Sequence, residues 1–360
     1  MRNALNSLKF NKVFKFNKLI KATRTFSLLL FISLYGLLLT GCQGQQETDS
    51  NVDTVSNNET ETNLETDKEK DEVAVEFSYS FTDSLGNTVN LESKPERVVS
   101  LVGSYAETWI LSGGSLVGVT NDVVTERGLD LPSDTKIVGT IKEPNIEEVI
   151  ALSTDFVLLT TDVESHIKAA EILKQSEIPH GFFKVEHFED YLNMLNICTD
   201  ITGNKDLYEK NGLAVKKQID DIVSKVNDKD NSEIEILFIR AFSSGAKAKH
   251  DDNMACKIFN DLGTVNIAGK HESLLEEISI EEIIEEDPDF IFVVTMGDSE
   301  KALQALKDGI EKNPAWSQLT AVKNDRYIVL PKDLFHYKPN ARWGESYEYI
   351  AKILYPEVFR

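Results

Sequence analysis

The stretches NIEEVIALSTDFVLLTT (145–161) and SIEEIIEEDPDFIFVVT (279–295) decide the fold. They lie far apart in the chain and share an isoleucine, a pair of glutamates, a second isoleucine, an Asp-Phe step and the final threonine. In each stretch a helical spacing of apolar residues changes to a continuous apolar run, which indicates a helix followed by a buried strand. A helix–strand unit that occurs twice predicts two lobes of similar fold, related by a pseudo-two-fold axis.

Each repeat begins with a residue that favours the N-cap of a helix, Asn145 in the first and Ser279 in the second. The second glutamate of each pair, three residues after the cap, is expected to complete a capping box. The first glutamate of each pair is favoured by the helix dipole but is not needed for the cap, so it is expected to point into solvent. These residues, Glu147 and Glu281, are either dipole-stabilising surface acids or equivalent docking charges, one on each lobe.

The rest of the chain alternates apolar runs with helical patterns. Runs rich in Val, Ile and Leu are typical of strands covered on both faces, and their alternation with helices indicates parallel sheets. The stretch 77–91 instead favours two short strands around a turn at 84–87. The predicted strands are 97–102, 116–120, 136–140, 156–160 and 181–185 in the first lobe and 233–240, 289–295 and 326–330 in the second.

A helical pattern separates the two sets of strands. Tyr208, Val215, Ile219, Ile222 and Val226 fall on one face at helical spacing. About twenty helical residues span about 30 Å, the width of a small domain. The alternative is an ordinary surface helix, but its place between the two sets favours a single rigid connection. The predicted architecture is therefore α/β, with two similar Rossmann-like lobes joined by one long helix and a ligand cleft between them.

The N-terminus has the features of an export signal. Residues 1–26 contain seven basic side chains and no acidic one, and residues 26–39 are uncharged. This apolar run spans about 21 Å as a helix, short of the ~30 Å hydrocarbon core, so a cleaved signal fits better than a permanent span. Leu39-Thr40-Gly41-Cys42 resembles the lipobox of bacterial lipoproteins, in which the cysteine becomes lipidated. The alternative is a free cysteine that ends a signal sequence.

The mature chain is strongly acidic. Removal of residues 1–41 takes away seven of the 38 basic residues and none of the 60 acidic ones, which leaves a net charge of −29. Such a surface argues against nucleic acid as a partner. Residues 43–76 are polar and have too few large apolar side chains to fold alone. The predicted divisions are a signal peptide (1–41), a disordered acidic tether (42–76), an N-terminal lobe (77–203, the N-lobe), a connecting helix (204–228) and a C-terminal lobe (229–360, the C-lobe).

From about Phe77 to its end the chain resembles the periplasmic-binding-protein family that serves ABC importers of ferric siderophores, haem and cobalamin. One departure is Ser153-Thr154-Asp155, where the family usually has a proline before the aspartate; this affects a turn. The stretches that carry the resemblance are KPERVVSLVGSYAETWILSGGSLVGVT (94–120), the two repeats, LGTVNIAG (262–269) and NPAWSQLTAVKNDRYIVL (313–330).

The resemblance implies a function without bond making or breaking. Two lobes would capture a bulky chelate with limited closure, and one glutamate on each lobe would contact arginines of the permease. By position in the repeats these glutamates are Glu147 and Glu281. The implied partners are the transmembrane subunits of an ABC permease, their ATPase and a small metal chelate. The receptor would be a monomer without a resident cofactor, anchored at Cys42 on the extracytoplasmic face of the cell membrane.

Ligand contacts in open α/β sheets come from loops at the carboxyl ends of strands. Arginine and lysine together with aromatic rings suit an anionic, flat or aromatic chelate. His336 or Tyr337 would instead ligate iron directly if haem or an incompletely chelated ferric ion were bound. Packing is the alternative for Trp343 and the favoured role of Trp316. The candidate ligand contacts are Ser104, Tyr105, Arg240, Phe242, Lys247, His336, Tyr337, Arg342 and Trp343.

Other function classes lack their signatures. The six histidines show no zinc-like pairing, so no metal site is assigned. The sequence has no Gly-x-Ser-x-Gly elbow for an extracellular hydrolase, and a surface adhesin would leave the paired glutamates unexplained. Cys198 lies on an apolar helical stripe, which favours a buried thiol over a disulfide. We therefore predict a substrate-binding lipoprotein that captures a ferric siderophore, with haem or cobalamin as alternative ligands.

Overall fold

The computed structural model describes residues 77–227, 234–251, 253–276 and 278–359. The predicted signal peptide, the predicted tether and Cys42 lie outside these ranges. None of the helices within them has the length and apolarity needed to cross a membrane.

The N-lobe is built around a five-stranded parallel sheet. Its elements are β1 Tyr79–Thr82, β2 Thr88–Leu91, β3 Val98–Ser100, α1 Gly103–Leu111, β4 Leu116–Val119, α2 Asp122–Thr125, β5 Lys136–Ile137, α3 Ile146–Ala151, β6 Phe156–Thr160, α4 Glu164–Gln175, β7 His180–Phe183 and α5 Phe188–Thr202. The strand order is β5-β4-β3-β6-β7, and β6 is buried at every position because helices cover both faces of the sheet. The predicted hairpin forms as β1 and β2 and packs on the sheet through Phe81, which stacks on Phe183.

A helical segment follows the N-lobe, as its apolar stripe predicts. It consists of α6 Lys205–Tyr208, a π-helical turn Glu209–Leu213 and α7 Ala214–Asn227. Val215, Ile219, Ile222 and Val226 are all buried. The π-helical turn was not predicted. It contains Gly212, which packs closely on α5, since a Cβ there would lie only 2.8 Å from a methyl carbon of Leu192 and would displace that side chain.

The C-lobe contains the second sheet, in the order β10-β8-β11-β12, with β9 antiparallel to β8. Its strands are β8 Ile234–Phe242, β9 Gly245–Ala248, β10 Thr264–Asn266, β11 Phe290–Thr295 and β12 Tyr327–Val329. Its α-helices are α8 Met254–Asp261, α9 Glu272–Glu276, α10 Ile280–Glu286, α11 Ser299–Leu306, α12 Thr320–Lys323, α13 Lys332–Phe335 and α14 Trp343–Leu354. Shorter turns are the 3₁₀ segments Ile267–Gly269, Pro314–Gln318 and Asn340–Arg342 and the π-helical turn Lys307–Glu311. Strands β9 and β10 were not predicted, because both are short and lie in stretches that also favour loops.

The two repeats form equivalent structures, which confirms the two-lobed α/β fold. Ser153 and Asp287, at matching positions of the repeats, both follow the helix with positive φ angles of 53° and 42°. The next repeated aspartates, Asp155 and Asp289, each accept a hydrogen bond from a backbone N–H at the start of the neighbouring strand, at 2.8 and 3.1 Å. In the first repeat Thr154 replaces the proline of the second. Its hydroxyl donates to the Val149 carbonyl at 2.5 Å, which fixes the turn without a proline.

The lobes share a continuous apolar core. One cluster of buried side chains runs from the N-lobe sheet through α5 and α7 to the C-lobe sheet and α14. Within it Phe188 of α5 meets Trp343 of α14 edge to face, with ring centroids 6.3 Å apart. Cys198 is a buried thiol in this core, as predicted. Trp316 is buried in the separate C-lobe core, which confirms its packing role. The lobes therefore contact each other over more than the connecting helix.

Candidate ligand-binding cleft and docking surface

Basic side chains lie at the carboxyl ends of neighbouring C-lobe strands. Arg240 is near the end of β8, opposite Val294 of the parallel strand β11. Lys332 begins α13 directly after β12, and its Nζ donates to the carbonyl of Gly297, just beyond β11, at 2.7 Å. Carboxyl ends of parallel strands meet at one edge of a sheet, where open α/β sheets bind their ligands. This edge of the C-lobe is therefore positively charged.

Strand β9 adds a second cation at the same place. It folds back on β8 so that Lys247 lies directly opposite Arg240. Directly opposed like charges destabilise a sheet unless a counter-charge lies nearby. Among the described residues, no carboxylate forms an ion pair with either side chain. Arg240 is half-buried and Lys247 is exposed, so the pair offers two uncompensated positive charges to an anion.

His336 lies close to this basic edge and is uncharged at neutral pH. Burial, together with the positive charges of Lys332, Arg240 and Lys338, lowers its pKa to about 4. Its ring centroid lies 5.1 Å from that of Tyr337. A neutral imidazole and a phenol can both donate and accept hydrogen bonds, and both are possible iron ligands. However, within the described ranges no three His, Cys, Asp or Glu side chains group together to hold a metal ion.

The N-lobe presents acidic side chains at its own strand ends. Asp162 follows β6, and Glu186 follows β7. Lys338 of the C-lobe lies within reach of both, since their charges and that of Asp190 act to raise its pKa, although burial outweighs them and lowers it. The N-lobe carboxylates thus compensate Lys338, whereas Arg240 remains uncompensated. The N-lobe strand ends are mixed in charge, because Lys184 also follows β7 and pairs with Glu186 at 2.9 Å.

Two predicted ligand contacts lie in the core instead. Tyr105 is only 2% exposed, and its hydroxyl donates to the Phe183 carbonyl at 3.0 Å inside the N-lobe. Trp343 is only 1% exposed and packs against Phe188. Apolar burial explains both aromatic residues, so neither is carried forward as a ligand contact. Strand-end and loop positions in sequence do not show which way a side chain points.

The remaining candidates differ in their environment. Ser104 is buried, and its carbonyl accepts a hydrogen bond from the C-lobe residue Asn340 at 2.9 Å. Arg342 is exposed and already forms ion pairs with Asp333 and Glu345, at 2.7 and 2.8 Å, so little of its charge remains for a ligand. Phe242 is half-buried at the end of β8. The structure thus brings together Arg240, Lys247, His336 and Tyr337, with Phe242 on the adjoining turn.

Sequence reasoning missed several residues of the cleft. Lys332 was detectable, because it follows a predicted strand directly, as the other candidates do. Arg127 and Glu107 had no such signal, since Arg127 meets Lys338 across 211 residues of chain and Glu107 meets Asn340 across 233 residues. The cavity between the lobes at these residues has a volume of about 70 Å³, which is too small for a chelate.

The paired glutamates occupy equivalent positions on the surface. Glu147 lies in the first turn of α3 and Glu281 in the first turn of α10, and both are exposed. The predicted N-caps are confirmed, because the side chains of Asn145 and Ser279 accept the backbone N–H three residues on, at 3.1 and 3.4 Å. The two lobes therefore present one matching solvent-exposed carboxylate each.

The prediction of complete capping boxes is wrong. The backbone N–H of Asn145 donates to the Val138 carbonyl at 2.8 Å, so it is not available to Glu148. In the second repeat the carboxylate of Glu282 accepts a hydrogen bond from Ser273 at 2.5 Å. In the first repeat the N-cap N–H, and in the second the glutamate carboxylate, thus bonds to a residue outside the helix instead of to the other group of the capping box. A cavity of about 740 Å³, lined by Ile280, Leu306 and Ile310 among others, lies beside Glu281 on the C-lobe alone.

Comparison with known proteins agrees with this geometry. A family model described as "Periplasmic binding protein" matches residues 98–334, well over half of the chain. The chain belongs to this family. This periplasmic binding protein is 26% identical over 306 residues to an "Uncharacterized ABC transporter substrate-binding lipoprotein YvrC" of Bacillus subtilis, with 81% of this chain and 90% of that protein covered.

Two further relatives place the periplasmic binding protein among similar chains. It is 28% identical over 260 residues to the "Fe(3+)-citrate-binding protein YfmC" of Bacillus subtilis, covering 70% of this chain and 78% of that one. Its fold matches the crystal structure of Staphylococcus aureus SirA complexed with staphyloferrin B, with a TM-score of 0.56 at 20% identity, over 78% of this chain and 98% of that chain. The second comparison supports the fold alone.

Proposed function

We propose that this periplasmic binding protein is the substrate-binding component of an ABC importer and captures an anionic ferric chelate, a ferric siderophore, between its lobes. The cross-strand pair of Arg240 and Lys247 carries the proposal, because two opposed cations without a carboxylate partner among the described residues favour an anion. Guanidinium and ammonium groups bind carboxylates and catecholates through charge-assisted hydrogen bonds. The relative named for Fe(3+)-citrate supports this class of ligand.

Haem is the second candidate. His336 is neutral at pH 7 and lies beside Tyr337, so one of the two side chains has the chemistry of an axial iron ligand. The propionates of haem would also suit Arg240 and Lys247. Cobalamin has less support, because its single phosphodiester gives the basic edge only one anionic group.

Delivery would use the two exposed glutamates. Glu147 and Glu281 would contact basic residues of the permease, whose ATPase drives import, and no bond in the chelate would be made or broken by the binding protein. Their equivalent positions in the two repeats support this role. Lipidation of Cys42 would hold the monomeric receptor on the extracytoplasmic face of the cell membrane, with residues 43–76 as the tether. Intact mass of membrane-extracted protein tests the lipid.

Ligand titration of the mature chain tests the proposed function. A Cys42→Ser variant prevents lipidation, and tryptophan fluorescence reports binding of ferric citrate, a ferric tris-catecholate, haemin or cyanocobalamin. We expect saturable quenching by at least one anionic ferric chelate. Binding of haemin alone would favour the second candidate, and lack of binding across the panel would contradict the importer function.

A further inference from the structure

The segment 336–342 lies in the C-lobe sequence but is hydrogen-bonded to the N-lobe. Arg127, just after α2, donates from Nη2 to the Lys338 carbonyl at 2.7 Å. Asn340 donates from its side-chain amide to the Ser104 carbonyl at 2.9 Å and to Glu107 Oε2 at 2.8 Å. Three hydrogen bonds therefore tie this segment to α1 and to the residue after α2.

Glu107 is the centre of these contacts. Its Oε2 accepts from Arg127 Nε at 2.8 Å and from Arg127 Nη2, in addition to Asn340. The side chains of Arg127 and Glu107 are only 9% and 20% exposed. The planar guanidinium places two of its nitrogens on the Glu107 carboxylate while Nη2 also reaches the Lys338 carbonyl, a fixed fork geometry that a single ammonium nitrogen does not reproduce. Nε and Nη2 of Arg127 are thus both engaged within this cluster.

The backbone of Asn340 is shaped for this contact. Its φ angle of +51° lies in the left-handed region, and the residue is only 1% exposed. Asparagine tolerates this conformation better than most residues, but holding it in place still costs free energy that the surrounding contacts must offset. The hydrogen bonds that its side-chain amide donates to Ser104 and Glu107 are such contacts. The conformation and the side-chain bonds therefore support each other.

Both ends of the segment, His336 and Arg342, are attached to the C-lobe. The backbone N–H of His336 donates to the Lys332 carbonyl at 2.9 Å at the end of α13. Beyond the segment's centre, Arg342 pairs with Asp333 at 2.7 Å. The segment thus bridges the lobes, since its two flanks follow the C-lobe while its centre is held by the N-lobe.

We propose that Glu107, Arg127 and Asn340 form an interlobe clamp of positioning residues, which fixes the segment 336–342 and so sets where His336 and Tyr337 stand relative to Arg240. The clamp makes no contact with the chelate. It limits separation of the lobes at the base of the cleft and orders one of its walls before a ligand arrives. Only its effect on chelate affinity rests on the proposed function.

Hydrogen exchange of the ligand-free mature chain tests the clamp directly. The double variant Glu107→Gln/Arg127→Met removes both charges together, so no buried unpaired charge remains, and Gln can still accept from Asn340. Asn340→Gly is a second variant that keeps the left-handed backbone and removes only the side-chain donors. We expect exchange in 336–342 to accelerate about tenfold or more in both variants, because local opening then breaks fewer contacts.

The matched control is Arg326→Met, which removes a half-buried arginine that stacks on Phe290 at the opposite end of the C-lobe sheet. It should leave exchange in 336–342 unchanged. Unchanged exchange in this segment in both clamp variants would overturn the proposal, and so would an equal increase in the control.

Affinity for ferric citrate separates positioning from a purely structural role. In the clamp variants we expect ferric citrate to bind about tenfold more weakly, because small displacements of binding groups are costly. The melting temperature of each variant should stay close to that of the wild type. Arg127→Lys should restore only part of the affinity. Faster exchange with full affinity would overturn the positioning role. If wild-type protein does not bind ferric citrate, the proposed ligand fails, while the exchange result still decides whether the clamp exists.

Discussion

The two lobes repeat one helix–strand unit but differ in the charged side chains at the carboxyl ends of their strands. Both repeats keep the aspartate that caps the start of a neighbouring strand and the left-handed residue that follows the helix. At the carboxyl ends of the strands the N-lobe has Asp162 and Glu186, whereas the C-lobe has Arg240 and Lys332. Backbone hydrogen bonding constrains the scaffold, while loops at strand ends are free to differ. The lobes thus share an architecture but differ in the side chains at their strand ends.

The docking surface is where the lobes remain most alike, and removing it should have the largest effect. Glu147→Ala together with Glu281→Ala should reduce uptake of iron-55 citrate by cells about a hundredfold, because both contacts with the permease are lost. Affinity of the purified variant for ferric citrate should stay within a factor of two. Glu148→Ala together with Glu282→Ala, one position along each helix, is the control and should retain most of the uptake.

A loss of affinity in the Glu147/Glu281 variant would contradict the docking role. If one single substitution accounts for the whole effect, the lobes do not dock equivalently. The hydrogen bond from Ser279 to Glu281 at 3.2 Å is one difference between the two sites, since the N-cap of the first repeat is an asparagine, and the cavity beside Glu281 is another.

The charge difference between the lobes predicts the next largest effect. Arg240→Gln/Lys247→Gln should weaken ferric citrate binding about 10- to 100-fold, since the hydrogen bond of half-buried Arg240 to a charged group contributes about 1.5–3 kcal/mol and the exposed, solvent-screened Lys247 adds little. Lys184→Gln at the N-lobe strand ends is the matched control, and it should change the affinity less than threefold. Fluorescence titration measures both. Equal losses on the two lobes would show that charge asymmetry does not select the ligand.

Equivalent core residues sharpen the comparison of stability. Phe156 and Phe290 begin the same strand in the two repeats, but Phe156 is fully buried and Phe290 is 8% exposed beneath Arg326. Phe156→Ala should cost about 3–5 kcal/mol of unfolding free energy, as expected for a large cavity in a core, and Phe290→Ala clearly less. Urea unfolding followed by circular dichroism gives both values. A larger loss for Phe290→Ala than for Phe156→Ala would mean that the exposed fraction of these side chains does not determine their contribution to stability.

The smallest expected effect is a pH dependence from His336. Its pKa is about 4 in the folded protein, against about 6.5 in an unfolded chain. Between these values the unfolded chain binds a proton that the folded protein does not, so the free energy of unfolding falls as the pH decreases from about 6.5 towards 4. Between pH 7 and pH 4.5 the melting temperature of His336→Gln should fall less than that of the wild type.

The control for this titration is His271→Gln, because Glu286 raises the pKa of the half-buried His271. A group with a raised pKa stabilises the fold at low pH, so its removal cannot lessen the sensitivity to acid. Equal sensitivity of wild type and His336→Gln to acid would show that His336 does not lie among the positive charges assigned to it.

Sequence predicted the scaffold better than the site, for physical reasons. Hydrophobic periodicity located β6 and β11 and the helices before them, because burial and hydrogen bonding in such units are local. It also predicted two equivalent exposed glutamates. It misassigned Tyr105, because strand-end position does not reveal that the side chain turns into the core. It also missed the clamp, since the contact of Arg127 with Lys338 depends on how the chain returns across the cleft 211 residues later.

The central claim is that the basic edge of the C-lobe selects an anionic chelate. Side-by-side titration of the mature Cys42→Ser protein with ferric citrate, an anionic chelate, and with cyanocobalamin, a larger chelate without net charge, tests it most directly. The account predicts that ferric citrate binds at least tenfold more tightly, and that raising the salt concentration weakens it, because exposed charges are screened. Tighter binding of cyanocobalamin, or affinity for ferric citrate that salt leaves unchanged, would contradict it.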